Sequence, residues 1–352
     1  MANVAILGTG SYLPGEAISN DELATAFGRE VAWLAEMLGA RSRFLAIDPH
    51  TRELRPGQSN ARMAAEAARR AIADADIDPR SIDLVVMATC TPDYPFPATV
   101  LFVQELLGLP ACCVLELRAG CGGTAQAFMI ARHLIAGGAA RRALLIGSEL
   151  LSPFVSLFSE QQRDDKDLLV SVAMFGDGAG AVVLGADDAT EGVLDARSWS
   201  ISTGRPAAML LRTGGALAMG GGHRGADREQ EPMFVHDFRA IIEHGPDLMR
   251  SACDWLVNEG GHDPATVDIF VPPQVSGNLT ATVAKSLGIA EEKVVSDFAR
   301  VANTVSASIY VALDRLRRDG TLRPGHTVVL LPAEATKWIY GAVVLRWSLE
   351  AP

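Results

Sequence analysis

VLELRAGCGGTAQAFMIARHLIAGGAARRALLIGSE, residues 114–149, sets a single cysteine, Cys121, among small residues at the end of a short apolar run. Directly after it, Ala127, Phe128, Ile130, Ala131, Leu134 and Ile135 recur at three- and four-residue spacing. This predicts an amphipathic helix, closed by Gly137-Gly138 and followed by a strand over Ala143–Ile146. Cys121 therefore stands where a strand turns into a helix. The unpaired amides and dipole of a helix N-terminus favour a thiolate, and Gly120, Gly122 and Gly123 let a substrate carbonyl approach the backbone. The same amides are placed to hold an oxyanion. A buried structural thiol is the competing reading of an isolated cysteine, and the local pattern leaves both open.

With 352 residues, 49% of them hydrophobic, the chain can bury a large core and suggests two domains or one double-sized unit. Its five cysteines (Cys90, Cys112, Cys113, Cys121, Cys253) are odd in number and lack C-x-x-C spacing, and no charged-then-apolar leader precedes the strand beginning at Val4. A reducing cytoplasm is the expected setting, with no bound metal. No uncharged apolar run approaches the roughly 18 residues of a membrane span. The net charge of −11 argues against nucleic acid and anionic membranes as partners.

Residues 1–13, MANVAILGTGSYL, read as a strand ending in a glycine turn. The G-T-G is a poor dinucleotide fingerprint, because Tyr12, Leu13 and Pro14 follow where a third glycine should open a helix. Short helices are expected over Asn20–Phe27 and Glu30–Leu38, and a longer one with an alanine-rich face over Ser59–Ala75. The segment IDPRSIDLVVM (77–87) recurs as HDPATVDIFV (262–271), an offset of 263 − 78 = 185 residues. ALLIGSE (143–149) matches VVLLPAE (328–334), and GAVVL occurs at 180–184 and again at 341–345. Matches in the same order mark an internal duplication, two α/β halves at 1–186 and 187–352 related by a pseudo-twofold.

A duplicated α/β chain with its cysteine at such a turn resembles the thiolase superfamily, specifically the ketoacyl-ACP synthase III branch. GTGSYLP (8–14), TPDYPFPAT (91–99), AGCGG (119–123), FGDGAGAVVL (175–184), VPPQ (271–274) and RVANTVSAS (300–308) carry the resemblance, which spans nearly the whole chain. It implies a thiolase-like αβαβα fold of five layers, a homodimer, and an acyl group carried as a thioester on Cys121. No cofactor is permanently bound; acyl-CoA or acyl-phosphopantetheine on an acyl carrier protein is the substrate. Asn303 matches the family asparagine that hydrogen-bonds the thioester or enolate. Phe96 falls in the loop that lines the partner's acyl pocket, and Trp33 matches the tryptophan at the coenzyme A adenine.

Departures from the pattern carry equal weight. The family's histidine position is Pro273, which can neither donate a hydrogen bond from its side chain nor move a proton, so decarboxylation of a malonyl unit loses a donor. His236, beside Asp237 in the segment implied to border the pantetheine channel, is the candidate substitute. Ala335-Thr336-Lys337 stands where the family carries a glycine triplet. Met37 and Leu169 replace two arginines that usually flank the nucleotide, whereas Arg239 and Lys285 keep positive charge where a carrier protein docks. The leading expectation is an acyltransferase that loads Cys121 and passes the acyl group on without decarboxylation, in specialised-metabolite, polyketide or fatty-acid-type biosynthesis. A decarboxylative 3-ketoacyl synthase and a non-catalytic partner subunit are the alternatives. Cys90, Cys112, Cys113 and Cys253 are expected to be inert.

Overall fold

Leu84, Val85, Val86, Met87 and Ala88 are all fully buried, so the strand they form is covered on both faces. The computed structural model describes residues 3–156, 165–187, 192–211 and 234–352. Among the described residues, that strand, β4 (Leu84–Ala88), lies in a five-stranded sheet with β1 (Asn3–Tyr12), β5 (Cys113–Leu117), β6 (Arg142–Glu149) and β7 (Gly178–Asp187), in the order β1-β7-β6-β4-β5. β5 is parallel to β4 and β4 to β6, while β7 is antiparallel to β6 and to β1. The second sheet repeats the plan. β11 (Ile269–Val271) is parallel to β12 (Thr327–Leu330), β14 (Ile339–Arg346) is antiparallel to β12, and β8 (Val193–Ser200) is antiparallel to β14. A short β13 (Ala333–Glu334) also pairs with β14. An isolated parallel bridge from Phe270 to Val294 stands where the first sheet has β5. The internal duplication read from the sequence is thus a repeated sheet topology.

Helices fill the remaining layers. α3 (Asn60–Asp74) and α4 (Thr99–Leu107) cover the outer face of the first sheet, and α8 (Phe238–Asp254) and α9 (Leu279–Leu287) that of the second. α5 (Gly123–Ala136) and α11 (Ser308–Arg318) lie between the sheets, where Phe128 stacks on Tyr310 at 6.1 Å. Such a pair adds about 0.5–1.5 kcal/mol beyond its burial. α1 (Asn20–Phe27), opened by a Ser19/Glu22 capping box, and α2 (Arg29–Leu38) pack with α6 (Ser152–Ser156), α7 (Lys166–Met174) and α10 (Phe298–Val301) around a separate apolar cluster. Two small antiparallel ribbons pair β2 (Ile18–Ser19) with β3 (Ser42–Arg43) and β9 (Met209–Leu211) with β10 (Phe234–His236). No described helix is long and apolar enough to cross a membrane.

The G-T-G segment is not a turn. β1 runs through it to Tyr12, and a Cβ at Gly8 would lie 2.5 Å from the Ala71 carbonyl oxygen of α3. Gly8 and the alanine face of α3 together let helix and sheet approach closely, which is a packing reason for the glycine and not a nucleotide-binding one.

Candidate active site

β5 ends at Leu117, a single 3-10 turn spans Gly120–Gly122, and α5 begins at Gly123, so Cys121 occupies the strand-to-helix corner. The second half of the chain presses on this corner. Gly120 has a φ of +45°, and a Cβ there would lie 2.7 Å from Glu334 Cγ and 3.4 Å from Cys90 Sγ. A Cβ at Gly122 would meet Ile339 Cγ2 at 2.7 Å. Close approach therefore requires glycine at both positions, and backbone conformation requires it at Gly120 as well.

The electrostatics reverse one sequence expectation. Burial first, then the Glu334 and Glu149 carboxylates, push the Cys121 thiol well above the ordinary cysteine range; its own backbone amide opposes them weakly. The helix N-terminus does not win, because desolvation and two acidic neighbours outweigh a partial charge that fades within a turn. Both effects favour the neutral thiol of the half-buried Cys121 over its thiolate.

The two glutamates are satisfied unequally. Glu149, at the end of β6, accepts hydrogen bonds from Cys90 N (2.8 Å), Thr91 N (3.0 Å), Thr91 Oγ1 (2.6 Å) and Thr89 Oγ1 (3.3 Å). Glu334 accepts Lys337 N–H at Oε1 (3.1 Å), while its buried Oε2 has no partner. Burial lifts the Glu334 carboxyl from 4.5 to about 7. Because the Lys337 amide is committed to Glu334, it is not a free oxyanion donor, which removes one member of the Ala335-Thr336-Lys337 loop from that role.

Asn303 sits in a strained turn. Ala302 and Val305, neither a glycine, have φ of 58° and 48°. Left-handed backbone at a β-branched valine is an outlier that surrounding structure must hold in place. The turn is pinned by Asn303 N to Met174 O (2.9 Å) and Gly176 N to Asn303 O (3.0 Å). The carboxamide oxygen accepts from Val305 N (2.8 Å) and Ser308 Oγ (3.3 Å), so its NH2 is left as the donor with no partner among the described residues. The following turn, Val305–Ala307, packs on Gly120–Gly122.

Pro273 follows β11 and is buried. Gln274 beside it is spent on structure, donating to Pro272 O (2.7 Å) and accepting from Ser296 Oγ (2.9 Å) and Asp297 N (2.6 Å). His236, at the end of β10, is buried among Phe175, Phe234 and Phe238 with ring centroids 5.6–6.2 Å away. Its Nδ1 pairs with Ser171 Oγ (2.7 Å), Nε2 has no partner, and burial lowers its pKa to about 4. Neither ring nitrogen is hydrogen-bonded to Cys121 or Asn303.

A cavity of about 650 Å³ adjoins the corner, lined by Cys90, Pro92, Pro95, Glu149, Leu151, Phe154, Met209, Leu211, Phe234, Val305 and Thr336 among others. Cys121 packs on the apolar cluster that supplies Leu151, Phe154, Met209, Leu211, Phe234 and Val305 to this wall. Thr336 is thus on the cavity. Trp33 and Met37 are exposed on α2, whereas Leu169 is buried in α7 and offers a nucleotide nothing. Arg239 and Lys285 are exposed on the neighbouring helices α8 and α9. Phe96 is 85% exposed. Cys113, one of the cysteines expected to be inert, is exposed at the start of the edge strand β5.

Residues 115–200 match the family model described as 3-oxoacyl-(acyl-carrier-protein) synthase III, and residues 257–347 match its C-terminal model. A beta-ketoacyl-(acyl-carrier-protein) synthase III from Sphingopyxis alaskensis is 36% identical, covering 98% of this chain and 100% of the relative. The chain belongs to the ketoacyl-ACP synthase III family. The synthase III of Neisseria gonorrhoeae is 32% identical over 99% of this chain and 100% of its own. Among solved structures, a tetronic acid condensing enzyme superposes with a TM-score of 0.85 at 30% identity, covering 98% of this chain and 100% of that one. The 3-oxoacyl-(acyl carrier protein) synthase III of Pseudomonas aeruginosa PAO1 superposes at 0.82 with 31% identity and full coverage of both chains. The chain is accordingly a thiolase-like transferase of the synthase III type, acting in acyl transfer or condensation.

Glu334, Glu149 and Cys90 are the residues of this site that sequence reasoning passed over. A signal existed: Glu149 and Glu334 are the matched last residues of ALLIGSE and VVLLPAE.

Proposed function

We propose that this synthase III-type enzyme takes an acyl group from an acyl-CoA or acyl-carrier-protein thioester onto Cys121 and passes it to an acceptor without decarboxylation. The observation that carries the reading is Pro273, a buried residue with no side-chain donor where the family pattern reads histidine. With Asn303 kept but a proline where the pattern has histidine, an enolate from malonate would lose a contact whose removal typically costs about 100–1000-fold. Acyl transfer to a pre-activated amine, hydroxyl or thiol needs only a base and an oxyanion hole. The apolar cavity of about 650 Å³ suits an acyl chain. Intact-mass analysis after incubation with an acyl thioester, paired with detection of carbon dioxide from a malonyl thioester, tests this reading. The second reading, decarboxylative condensation, is favoured by the names of the curated relatives.

The working unit in this proposal is a cytoplasmic homodimer that receives its donor from CoA or a carrier protein. β5 leaves an edge of Cys113, Val114, Leu115 and Leu117 that a second copy would cover, and Tyr94 and Phe96 are exposed on the loop beyond β4. Trp33 would meet the nucleotide, and Arg239 and Lys285 the acidic carrier.

A further inference from the structure

Glu334 is 2% exposed, yet one of its carboxylate oxygens has no hydrogen-bond partner. An unpaired buried oxygen normally costs on the order of 1–3 kcal/mol, so its retention needs a reason. Its position supplies one. Glu334 Cγ lies 2.7 Å from where a Gly120 Cβ would be, next along the chain from Cys121, and Cys90 Sγ lies 3.4 Å from the same point. The groups around it are the Cys121 and Cys90 thiols from the first half, and the Lys337, Thr336 and Ile339 amides from its own turn; Glu149 acts on the same two thiols from β6.

We propose that Glu334 is the proton-exchange group of this site, doing for Cys121 what Pro273 cannot. This rests on the reading of Cys121 as the acyl carrier. In acylation, the Cys121 S–H proton passes to Glu334 Oε2 as sulfur bonds to the thioester carbonyl carbon. The tetrahedral species collapses by breaking the bond to the donor sulfur, which leaves with the proton from Glu334. In transfer, the acceptor's O–H, N–H or S–H proton goes to Glu334 as the acceptor attacks the Cys121 acyl carbon, and Cys121 departs with that proton.

Glu149 is unsuited to this role because its oxygens already hold Cys90, Thr91 and Thr89. His236 is unsuited because Nδ1 is engaged by Ser171 and the ring is enclosed by three phenylalanines. A carboxyl held at about 7 is also matched to exchanging protons near neutral pH.

The experiment compares wild type, Glu334→Gln and Glu334→Asp, using acetyl-CoA and octanoyl-CoA and reading the Cys121 adduct by mass from pH 5.5 to 8.5. Wild-type acylation rises about tenfold per pH unit and levels off above about 7. Glu334→Gln is slowed about 100-fold with that rise abolished, and Glu334→Asp recovers part of the rate. Alkylation of Cys121 by iodoacetamide, which reads thiolate alone, is equal or faster in Glu334→Gln, because a negative neighbour has been removed. Acylation by Glu334→Gln at the wild-type rate and with the wild-type profile overturns the proposal while leaving Cys121 as the carrier. No adduct on wild type with either thioester overturns the reading beneath it as well. If Glu334→Gln does not fold, the wild-type profile decides, and a rate independent of pH between 6 and 8 is the contradicting result.

Discussion

Glu149 and Glu334 close the two copies of the same repeated segment, one in each half, and both carboxyl groups raise the thiol of Cys121. The pair is equivalent by sequence, since 334 − 149 = 185 is also the offset between Asp78 and Asp263, but not by environment. Glu149 is held by four donors and ties Cys90 and Thr91 to the end of β6, whereas Glu334 keeps an empty oxygen. The repeat sets two carboxyl groups near Cys121, and their different hydrogen bonding is why we assign proton exchange to Glu334 and not to Glu149.

Glu334 should weaken the fold at neutral pH. Its folded pKa is raised, so the folded state holds the proton more tightly than the unfolded one. Its contribution is intact below about 4.5 and is lost as pH rises through about 7. That gap corresponds to about 3 kcal/mol. Glu334→Gln is therefore more stable than wild type at pH 8 and nearly equal at pH 4, read by urea unfolding. Equal stability at both pH values contradicts the buried, raised carboxyl.

His236 acts in the opposite direction. Burial lowers its folded pKa from 6.5 to about 4, so the stabilising contribution is present above 6.5 and disappears as pH falls toward about 4. The stability difference between wild type and His236→Phe, measured at pH 7.5 and again at pH 4.5, should move toward the variant at the lower pH. The same variant should keep acylation of Cys121 within about threefold of wild type; a loss of 100-fold would return the histidine to the chemistry.

Asn303→Ala removes a carboxamide whose oxygen is held by Val305 N and Ser308 Oγ. Transfer from acyl-Cys121 to an acceptor should fall about 100-fold, while the turn loses its anchor and the protein about 1–2 kcal/mol. Single-turnover release of the acyl group measures the first and chemical unfolding the second. Unchanged release would make Asn303 a turn residue only.

Much of this was legible in the sequence. Repeated strands announced the two sheets because a doubly covered strand such as Leu84–Ala88 has to be apolar throughout, and a copy of it 185 residues on (263 − 78) has to do the same. Cys121 was legible as a strand-to-helix corner from its glycines. The direction of its pKa was not, because desolvation and the Glu334 and Glu149 charges arise only when β13 and the end of β6 are brought to that corner. Gly8 misled for a related reason: the sequence shows a small residue but not the helix packed against it. Glu334 was hidden in plain view, since a glutamate ending a strand reads as a solvated tip until its burial is known.

The central claim is acyl transfer through Cys121 without decarboxylation, and the direct measurement is made on the unmodified enzyme. Wild-type protein is incubated with an acyl-CoA and a malonyl thioester, and three quantities are followed together: the mass adduct on Cys121, carbon dioxide, and the 3-ketoacyl product. The predicted result is a full adduct on Cys121, absent in Cys121→Ala, with little carbon dioxide and no 3-ketoacyl product. Pro273→His should then gain some decarboxylation, limited by how well the ring is placed, since an error of about 1 Å can cost roughly 100-fold. Ready release of carbon dioxide with a 3-ketoacyl product from wild-type protein would contradict the account.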